Sequence, residues 1–193
     1  MRLAGIATAL LSICALQAAM PPVPRPAPDF VIHFTNGNEM TLHSLRGKVI
    51  ALTFVSTTCP HCQHASQVFT KFYEEYGSKG FEPVAVAFNT MANMYVDEFV
   101  KNLGIKHPVG FSPVEPVLAF LGISPMERYV VPQIVWIDKK GIIREQTPPL
   151  GDEKMLQESH WREMIETLLK EPAETTKHSP TAHVTQAKKS SAQ

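Results

Sequence analysis

Two largely apolar runs, separated by a segment with helical periodicity, constrain the fold of this chain more than any other feature. Residues 49–55 and 81–88 carry few polar side chains, and such runs are typical of strands that are buried on both faces of a sheet. Between them, apolar side chains recur at helical spacing from Pro60 to Tyr76, and Gly77 ends the helix. A strand, a helix and a second strand in succession predict a parallel pair within an α/β fold.

The remaining segments continue this alternation of strands and helices. The pattern predicts a first strand over Phe30–Phe34, a second helix over Met94–Leu103, a helical turn over Val117–Leu121, a hairpin of strands Gln133–Asp138 and Ile142–Gln146, and a last helix over Met155–Leu169. This order of elements predicts a mixed central sheet with helices on both faces. The predicted folded domain spans residues 29–170.

The two ends of the chain differ in composition from this central part. Residues 1–19 carry one cation, Arg2, followed by an apolar run and small residues, which is typical of a secretory signal peptide. An uncleaved N-terminal membrane anchor is the alternative, and Cys14 raises a lipoprotein signal as another. Five prolines within residues 20–28 predict an extended linker. The polar composition of residues 171–193 predicts a disordered tail.

Charge and cysteine content limit the partners and the compartment. The chain has 18 basic and 18 acidic side chains and therefore no net charge, so it lacks a global basic field that would hold nucleic acid. Three cysteines are too few for a disulfide scaffold. Removal of a signal peptide would leave Cys59 and Cys62, in a periplasmic or other extracytoplasmic compartment where disulfides form.

Residues Cys59–Cys62 read Cys-Pro-His-Cys and lie where the first buried strand passes into the helix. Unpaired N–H groups and the helix dipole favour a thiolate at that point, and the spacing brings both sulfur atoms within disulfide reach. Cys59 is predicted to be the exposed nucleophile, and Cys62, one turn deeper, to resolve the mixed disulfide. Pro60 suits the first helical turn, and His61 can place a cation or donor beside the Cys59 thiolate and so tune the pair.

Two other interpretations of this cysteine pair stay open. A structural disulfide is one, although closing so short a loop removes little chain entropy. A metal site is the other, because two histidines, His61 and His64, lie close to the two cysteines in the sequence. On one continuous helix, however, the two histidines point in different directions. Redox chemistry with no metal, and with no cofactor other than the Cys59–Cys62 disulfide, is therefore the favoured prediction.

The dipeptide Val131-Pro132 directly precedes a predicted strand. A proline in this place either marks the edge of a sheet or forms a cis peptide bond in a tight turn.

These motifs together resemble those of the TlpA/ResA group of thioredoxin-fold proteins. The segments that carry the resemblance are Leu42–Lys48 before the first buried strand, Cys59–Cys62, Gly80–Val84 and Val131–Gly141. The resemblance covers about residues 29–170. It implies a thioredoxin-like α/β fold, and the segment between Phe88 and Pro132 fits the short central insertion of this group.

The resemblance also implies a function. It implies an extracytoplasmic thiol–disulfide oxidoreductase that exchanges disulfides with the thiols and disulfides of partner proteins, with apocytochrome c or a membrane electron donor as candidate partners. It implies a cis Val131–Pro132 bond that lines the groove where a partner's cysteine region docks. The dipeptide Pro60-His61, and Val131 before the proline, are similar to those of the strongly oxidising DsbA enzymes. The scaffold therefore favours a reductase, whereas the site favours an oxidising pair.

Departures from the group's pattern keep two other functions open. Thr58 replaces the usual tryptophan before the first cysteine, and Thr53 is the only polar residue of a strand that often carries a buried carboxylate, so the proton acceptor of Cys62 is unassigned. A copper-handling protein of the Sco type shares the fold but usually has a wider cysteine spacing and a distal histidine ligand. A peroxidase of the peroxiredoxin type usually has Pro and Thr before its cysteine, and residues 52–58 do not match this.

Overall fold

A computed structural model describes residues 20–173 of the chain. The predicted signal peptide or anchor over residues 1–19, with Cys14, and the predicted tail from residue 174 onward lie outside the described residues. The strands are β1 (Arg25–Pro26), β2 (Val31–His33), β3 (Glu39–Thr41), β4 (Val49–Val55), β5 (Phe81–Ala87), β6 (Val109–Phe111), β7 (Gln133–Ile137) and β8 (Ile142–Gln146). The α-helices are α1 (Pro60–Tyr76), α2 (Ala92–Leu103), α3 (Val114–Leu121) and α4 (Glu158–Lys170). Among these described helices, none has the length and apolarity to cross a membrane.

The strands of the described residues form one mixed sheet in the order β1-β8-β7-β4-β5-β6-β2-β3. Strands β4, β5 and β6 run parallel, while β7 pairs antiparallel with β4 and β8 pairs antiparallel with β7. The parallel pairing of β4 and β5 is the one predicted from the two apolar runs and the helix between them.

Strand β4 is buried at every position. Its alternate side chains therefore show what packs on each face of the sheet. Leu52 packs on one face of the sheet in a cluster with Leu121 of α3. Ala51 packs on the other face with Phe69 of α1 and Trp161 of α4. Helices therefore cover both faces of the central strands, as the continuous apolar runs predict.

The long elements lie close to their predicted positions. Strands β4 and β8 and helix α1 have the predicted bounds, and β5 and β7 each end one residue earlier. Helix α3 is a full helix of 8 residues rather than a turn. Helix α4 begins at Glu158, later than the predicted Met155, and Met155 instead accepts a hydrogen bond of 2.7 Å from Trp161 Nε1.

The proline-rich segment is more than the predicted linker, because part of it joins the sheet. Arg25–Pro26 form the edge strand β1, and the Arg25 guanidinium donates to Gln146 Oε1 at 2.8 Å. An edge position tolerates a proline, which has no N–H to donate. At the other end, Glu171 lies in the predicted tail but forms an ion pair of 2.5 Å with Arg144. The folded region therefore extends beyond the predicted bounds of 29 and 170 in both directions.

Candidate active site

The turn between β4 and α1 places the first cysteine at the start of the helix. Cys59 is the N-cap residue of α1 with extended backbone angles, and Pro60 occupies the first helical turn, as predicted. The Cys59 N–H donates to the Ser56 carbonyl at 3.1 Å, and the Cys59 carbonyl accepts from the Gln63 N–H at 3.0 Å. The chain thus enters the helix through a hydrogen-bonded turn that ends at the thiol.

The two cysteines have different environments, and both are free thiols in this structure. Cys59 is partly exposed, whereas Cys62 is 0% exposed. Cys62 packs in an apolar cluster with Val55 at the end of β4, Ala87 at the end of β5 and Phe99 of α2. This arrangement leaves one sulfur atom open to a partner and keeps the other beneath the surface.

The environment of Cys62 disfavours its ionisation. Burial raises the pKa of the Cys62 thiol well above its ordinary value, and the neighbouring Cys59 raises the pKa further. The Ser56 N–H opposes these effects, since it donates to Cys62 Sγ at 3.5 Å. The hydroxyl of the buried Thr53 donates to the Val84 carbonyl at 3.3 Å. Cys62 is therefore held as a thiol, with one backbone donor ready for its thiolate.

The loop before β7 lies against the exposed thiol. The Val131–Pro132 peptide bond is cis, and Cys59 Sγ lies 3.8 Å from the Val131 carbonyl oxygen. Pro132 is buried, while Val131 is partly exposed. The structure thus brings together Cys59, Cys62 and the Val131–Pro132 dipeptide, which lie in separate motifs of the sequence.

The two histidines of this region are not gathered around the cysteines. His61 is exposed on the first turn of α1, and the exposed His64 lies 3.2 Å from Glu158 Oε1 of α4. Within residues 20–173, no group of three or more His, Cys, Asp and Glu side chains is placed to hold a metal ion. The four donors considered for a metal site therefore do not converge in this structure.

Sequence reasoning missed three polar residues that fix the turn before Cys59. The Thr57 N–H donates to Asn89 Oδ1, and the Thr57 carbonyl accepts from Gln63 Nε2, both at 3.0 Å. These residues are distant in the sequence or lie in different elements, so no local pattern links them. A polar residue two positions after each of the buried strands β4 and β5, Thr57 and Asn89, is the one signal that could have drawn attention to them.

Gln133, the residue after the cis proline, was also missed. Its side chain is 0% exposed, and its Nε2 atom donates to the carbonyls of Val130, Pro148 and Pro149 at 2.9, 3.1 and 3.2 Å. Gln133 therefore ties the cis-proline loop to the segment that follows β8.

A surface cleft of about 590 Å³ shares Asn89 with this site. Aromatic side chains of Phe111 and Tyr129 line the cleft, together with Met91, which is 51% exposed. Exposed methionines provide flexible apolar contact surface. This cleft therefore presents apolar contact surface on the side of the site where Asn89 lies.

An accessible thiol at a helix N-terminus, a buried thiol one turn later and an adjacent cis-proline loop define a dithiol protein of the thioredoxin fold. The comparison with protein families agrees with this class. The chain matches the model of the Redoxin family over residues 22–160, and it belongs to that family.

Curated proteins named as thiol-disulfide oxidoreductases are similar to part of the chain. The thiol-disulfide oxidoreductase ResA of Bacillus anthracis is 30% identical over 120 residues, which are 62% of this chain and 66% of the relative. ResA of Bacillus subtilis (strain 168) is 33% identical over 100 residues, 52% of this chain and 55% of the relative. The chain thus spans less than two thirds of the length of these relatives. The predicted resemblance to the TlpA/ResA group is confirmed.

Solved structures confirm the thioredoxin-like fold. A thiol:disulfide interchange protein of the thioredoxin family from Chlorobium tepidum superimposes with a TM-score of 0.62 at 25% identity, over 77% of this chain and 99% of its own. A thiol:disulfide interchange protein from Bacteroides sp. gives a TM-score of 0.62 at 18% identity, over 80% of this chain and 95% of its own. The second likeness, at its low identity, concerns the fold alone.

Proposed function

We propose that this protein is an extracytoplasmic thiol–disulfide oxidoreductase that exchanges disulfide bonds with partner proteins through Cys59 and Cys62. The observation that carries the proposal is the unequal exposure of the two thiols. Cys59 is accessible at the start of α1 beside the Val131 carbonyl, whereas Cys62 is fully buried one turn later. The relatives named thiol-disulfide oxidoreductases support the same reaction class.

The proposed reduction of a partner takes two steps. The Cys59 thiolate attacks one sulfur atom of the partner's disulfide, so that a bond forms between Cys59 and the partner and the partner's second sulfur leaves as a thiolate. Cys62 then attacks Cys59 Sγ and loses its proton, which balances the partner thiolate released in the first step. The Cys59–Cys62 disulfide forms, the bond to the partner breaks, and the partner's first sulfur leaves as a thiolate. Two electrons pass to the partner, and the reverse sequence oxidises a partner dithiol.

The burial of Cys62 suits it to the second step. A thiol held protonated beneath the surface does not compete with Cys59 for the partner's disulfide. Once the mixed disulfide forms, Cys62 lies one helical turn from the sulfur that it must attack, and the Ser56 N–H, at 3.5 Å, stabilises its thiolate. The roles of nucleophile and resolving thiol follow from position rather than from residue type.

The partners and the compartment are part of the proposal. A secretory signal or anchor in residues 1–19 supports export from the cytoplasm. Partner proteins would dock in part through apolar side chains, since Met91, Phe111 and Tyr129 line the cleft that shares Asn89 with the site. Apocytochrome c, or a membrane protein that donates electrons, is the proposed class of partner. Pro60 and His61, on the first turn of α1, are proposed to make the Cys59–Cys62 disulfide more oxidising, because stabilising the Cys59 thiolate stabilises the reduced form.

Trapping of mixed disulfides tests the proposed roles. When the protein is incubated with a disulfide-bonded protein such as insulin, Cys62→Ser is expected to accumulate a mixed disulfide through Cys59, because the second step is blocked. Cys59→Ser is expected to trap none and to lack insulin-reducing activity. Intact-protein mass spectrometry measures the adduct, with the variant lacking both cysteines as the control. Trapping by Cys59→Ser alone would reverse the assignment, and trapping by neither would refute the function.

A further inference from the structure

Thr57 is held from two sides in the turn between β4 and Cys59. It is a polar residue, yet it is only 6% exposed. Asn89, which follows β5, accepts from the Thr57 N–H at 3.0 Å and donates from Nδ2 to Thr57 Oγ1 at 3.2 Å. From the opposite side, Gln63 Nε2 of α1 donates to the Thr57 carbonyl at 3.0 Å. Both backbone polar groups of Thr57 are thus satisfied by side chains of other segments.

This arrangement bears on Cys62 through the neighbouring residue. The Ser56 N–H is adjacent to Thr57 in the chain and donates to Cys62 Sγ at 3.5 Å. The Ser56 carbonyl accepts from the Cys59 N–H at 3.1 Å. A shift of Thr57 would therefore move the donor that faces Cys62. Asn89 itself makes its side-chain hydrogen bonds with Thr57 and with the Thr90 carbonyl, so it acts through Thr57.

We propose that Asn89 is a positioning residue for the second step of disulfide exchange, because it fixes Thr57 and thereby holds the Ser56 N–H against Cys62 Sγ. The inference rests on the proposed disulfide exchange and deepens it. The step concerned is the attack of the Cys62 thiolate on Cys59 Sγ, in which the Cys59–Cys62 bond forms and the group bound to Cys59 leaves with the electron pair. The first step, attack by Cys59 on an external disulfide, does not use this donor.

The aryl disulfide DTNB, used in place of a partner protein, allows the rates of the two steps to be measured separately. Attack by Cys59 releases one thionitrobenzoate anion at a rate proportional to the reagent concentration. Attack by Cys62 releases the second anion at a rate independent of that concentration. Stopped-flow absorbance of the reduced full-length protein carrying Cys14→Ser, which removes the third thiol, therefore gives both rates in one experiment, and adding Cys62→Ser identifies the first phase.

Asn89→Ala is expected to slow the second phase by about five- to tenfold, the effect of losing roughly one net hydrogen bond to the reacting group. The first phase should stay within about twofold of wild type. Asn89→Asp keeps an oxygen that accepts from the Thr57 N–H, so it should restore most of the second-phase rate. Asn102→Ala is the matched control, since Asn102 is an exposed asparagine on α2 that bonds Glu98, and it should change neither phase.

Equal slowing of both phases in Asn89→Ala would overturn the proposal, because it would indicate a general disturbance of the fold. An unchanged second phase, or a failure of Asn89→Asp to restore it, would also overturn the proposal. The DTNB reaction requires no physiological partner. If wild type shows both phases but exchanges no disulfide with any protein, the proposed function fails while the positioning role of Asn89 stands.

Discussion

Cys59 and Cys62 have the same side chain, so their different proposed roles, nucleophile and resolving thiol, come from their surroundings. The end of β4 and the first turn of α1 leave Cys59 partly exposed, while the side chains of β4, β5 and α2 enclose Cys62. Burial disfavours a charged thiolate and so raises the pKa of Cys62. The raised pKa of Cys62 should make the free energy of unfolding depend on pH.

The reduced protein is expected to lose stability as the pH rises above 9.0, the ordinary pKa of the thiol. Below that pH, Cys62 is protonated in both the folded and the unfolded state and contributes no pH dependence. Above it, the unfolded chain releases this proton while the folded protein retains it, so the free energy of unfolding falls by about 1.4 kcal/mol per pH unit. Urea unfolding under reducing conditions measures the effect.

Cys62→Ala provides the control for this titration, because it removes the buried thiol and leaves Cys59 in place. The free energy of unfolding of wild type should fall relative to that of Cys62→Ala on the alkaline side. Parallel pH dependences of the two proteins would show that Cys62 is not shielded from solvent.

At the same residue scale, the sequence predicted the cysteines and Pro60 because their chemistry is visible in a local motif. It could not predict the contacts of Thr57 with Asn89, since a hydrogen bond between positions 57 and 89 depends on how β4 and β5 pair. The role of Gln133 was not predicted for the same reason, because two of its three partners, Pro148 and Pro149, follow β8.

Among the elements, the N-terminal strand β1 shows how a segment without periodicity can still contribute to stability. Arg25 donates to the Gln146 side chain, which is itself buried, and to the Phe120 carbonyl at 3.4 Å. Gln146 in turn donates from Nε2 to the Leu121 carbonyl at 2.7 Å. Strand β1 is therefore tied to β8 and, through these bonds, to α3.

Arg25→Ala is expected to lower the free energy of unfolding by about 1–3 kcal/mol, because it leaves Gln146 Oε1 buried without a donor. Arg128→Ala, which removes an exposed arginine, should change the free energy of unfolding by less than about 0.5 kcal/mol. Urea unfolding of both variants makes the comparison. Equal stabilities would mean that residues 20–28 act as a linker only, as the composition alone predicts.

The elements that the sequence predicted well are those long enough to show a continuous apolar run or a period. Strand β4 has its predicted bounds because it is a nearly unbroken apolar run of 7 residues, and helix α1 has them because its apolar residues recur at helical spacing. Strands β3 and β6 have 3 residues each and were not predicted. So short a strand carries no measurable alternation, and its pairing is decided by the neighbouring strands.

For the whole molecule, the sheet topology explains why the site forms at one end. Parallel strands β4 and β5 finish at the same edge of the sheet, and ligand and active sites of α/β sheets commonly lie at that edge. The antiparallel strand β7 begins there, since Phe54 of β4 pairs with Gln133. Cys59, Asn89 and Val131 are distant in the sequence but meet because each adjoins one of these strand ends.

A redox titration of wild type in glutathione buffers tests the central proposal, that Cys59 and Cys62 form a reversible disulfide, most directly. Intact-protein mass spectrometry after acid quenching should show the loss of two hydrogens in a single two-electron transition. The midpoint should be more positive than that of thioredoxin, about −270 mV, if Pro60 and His61 make the disulfide more oxidising. A protein that keeps both hydrogens in every buffer would contradict the account.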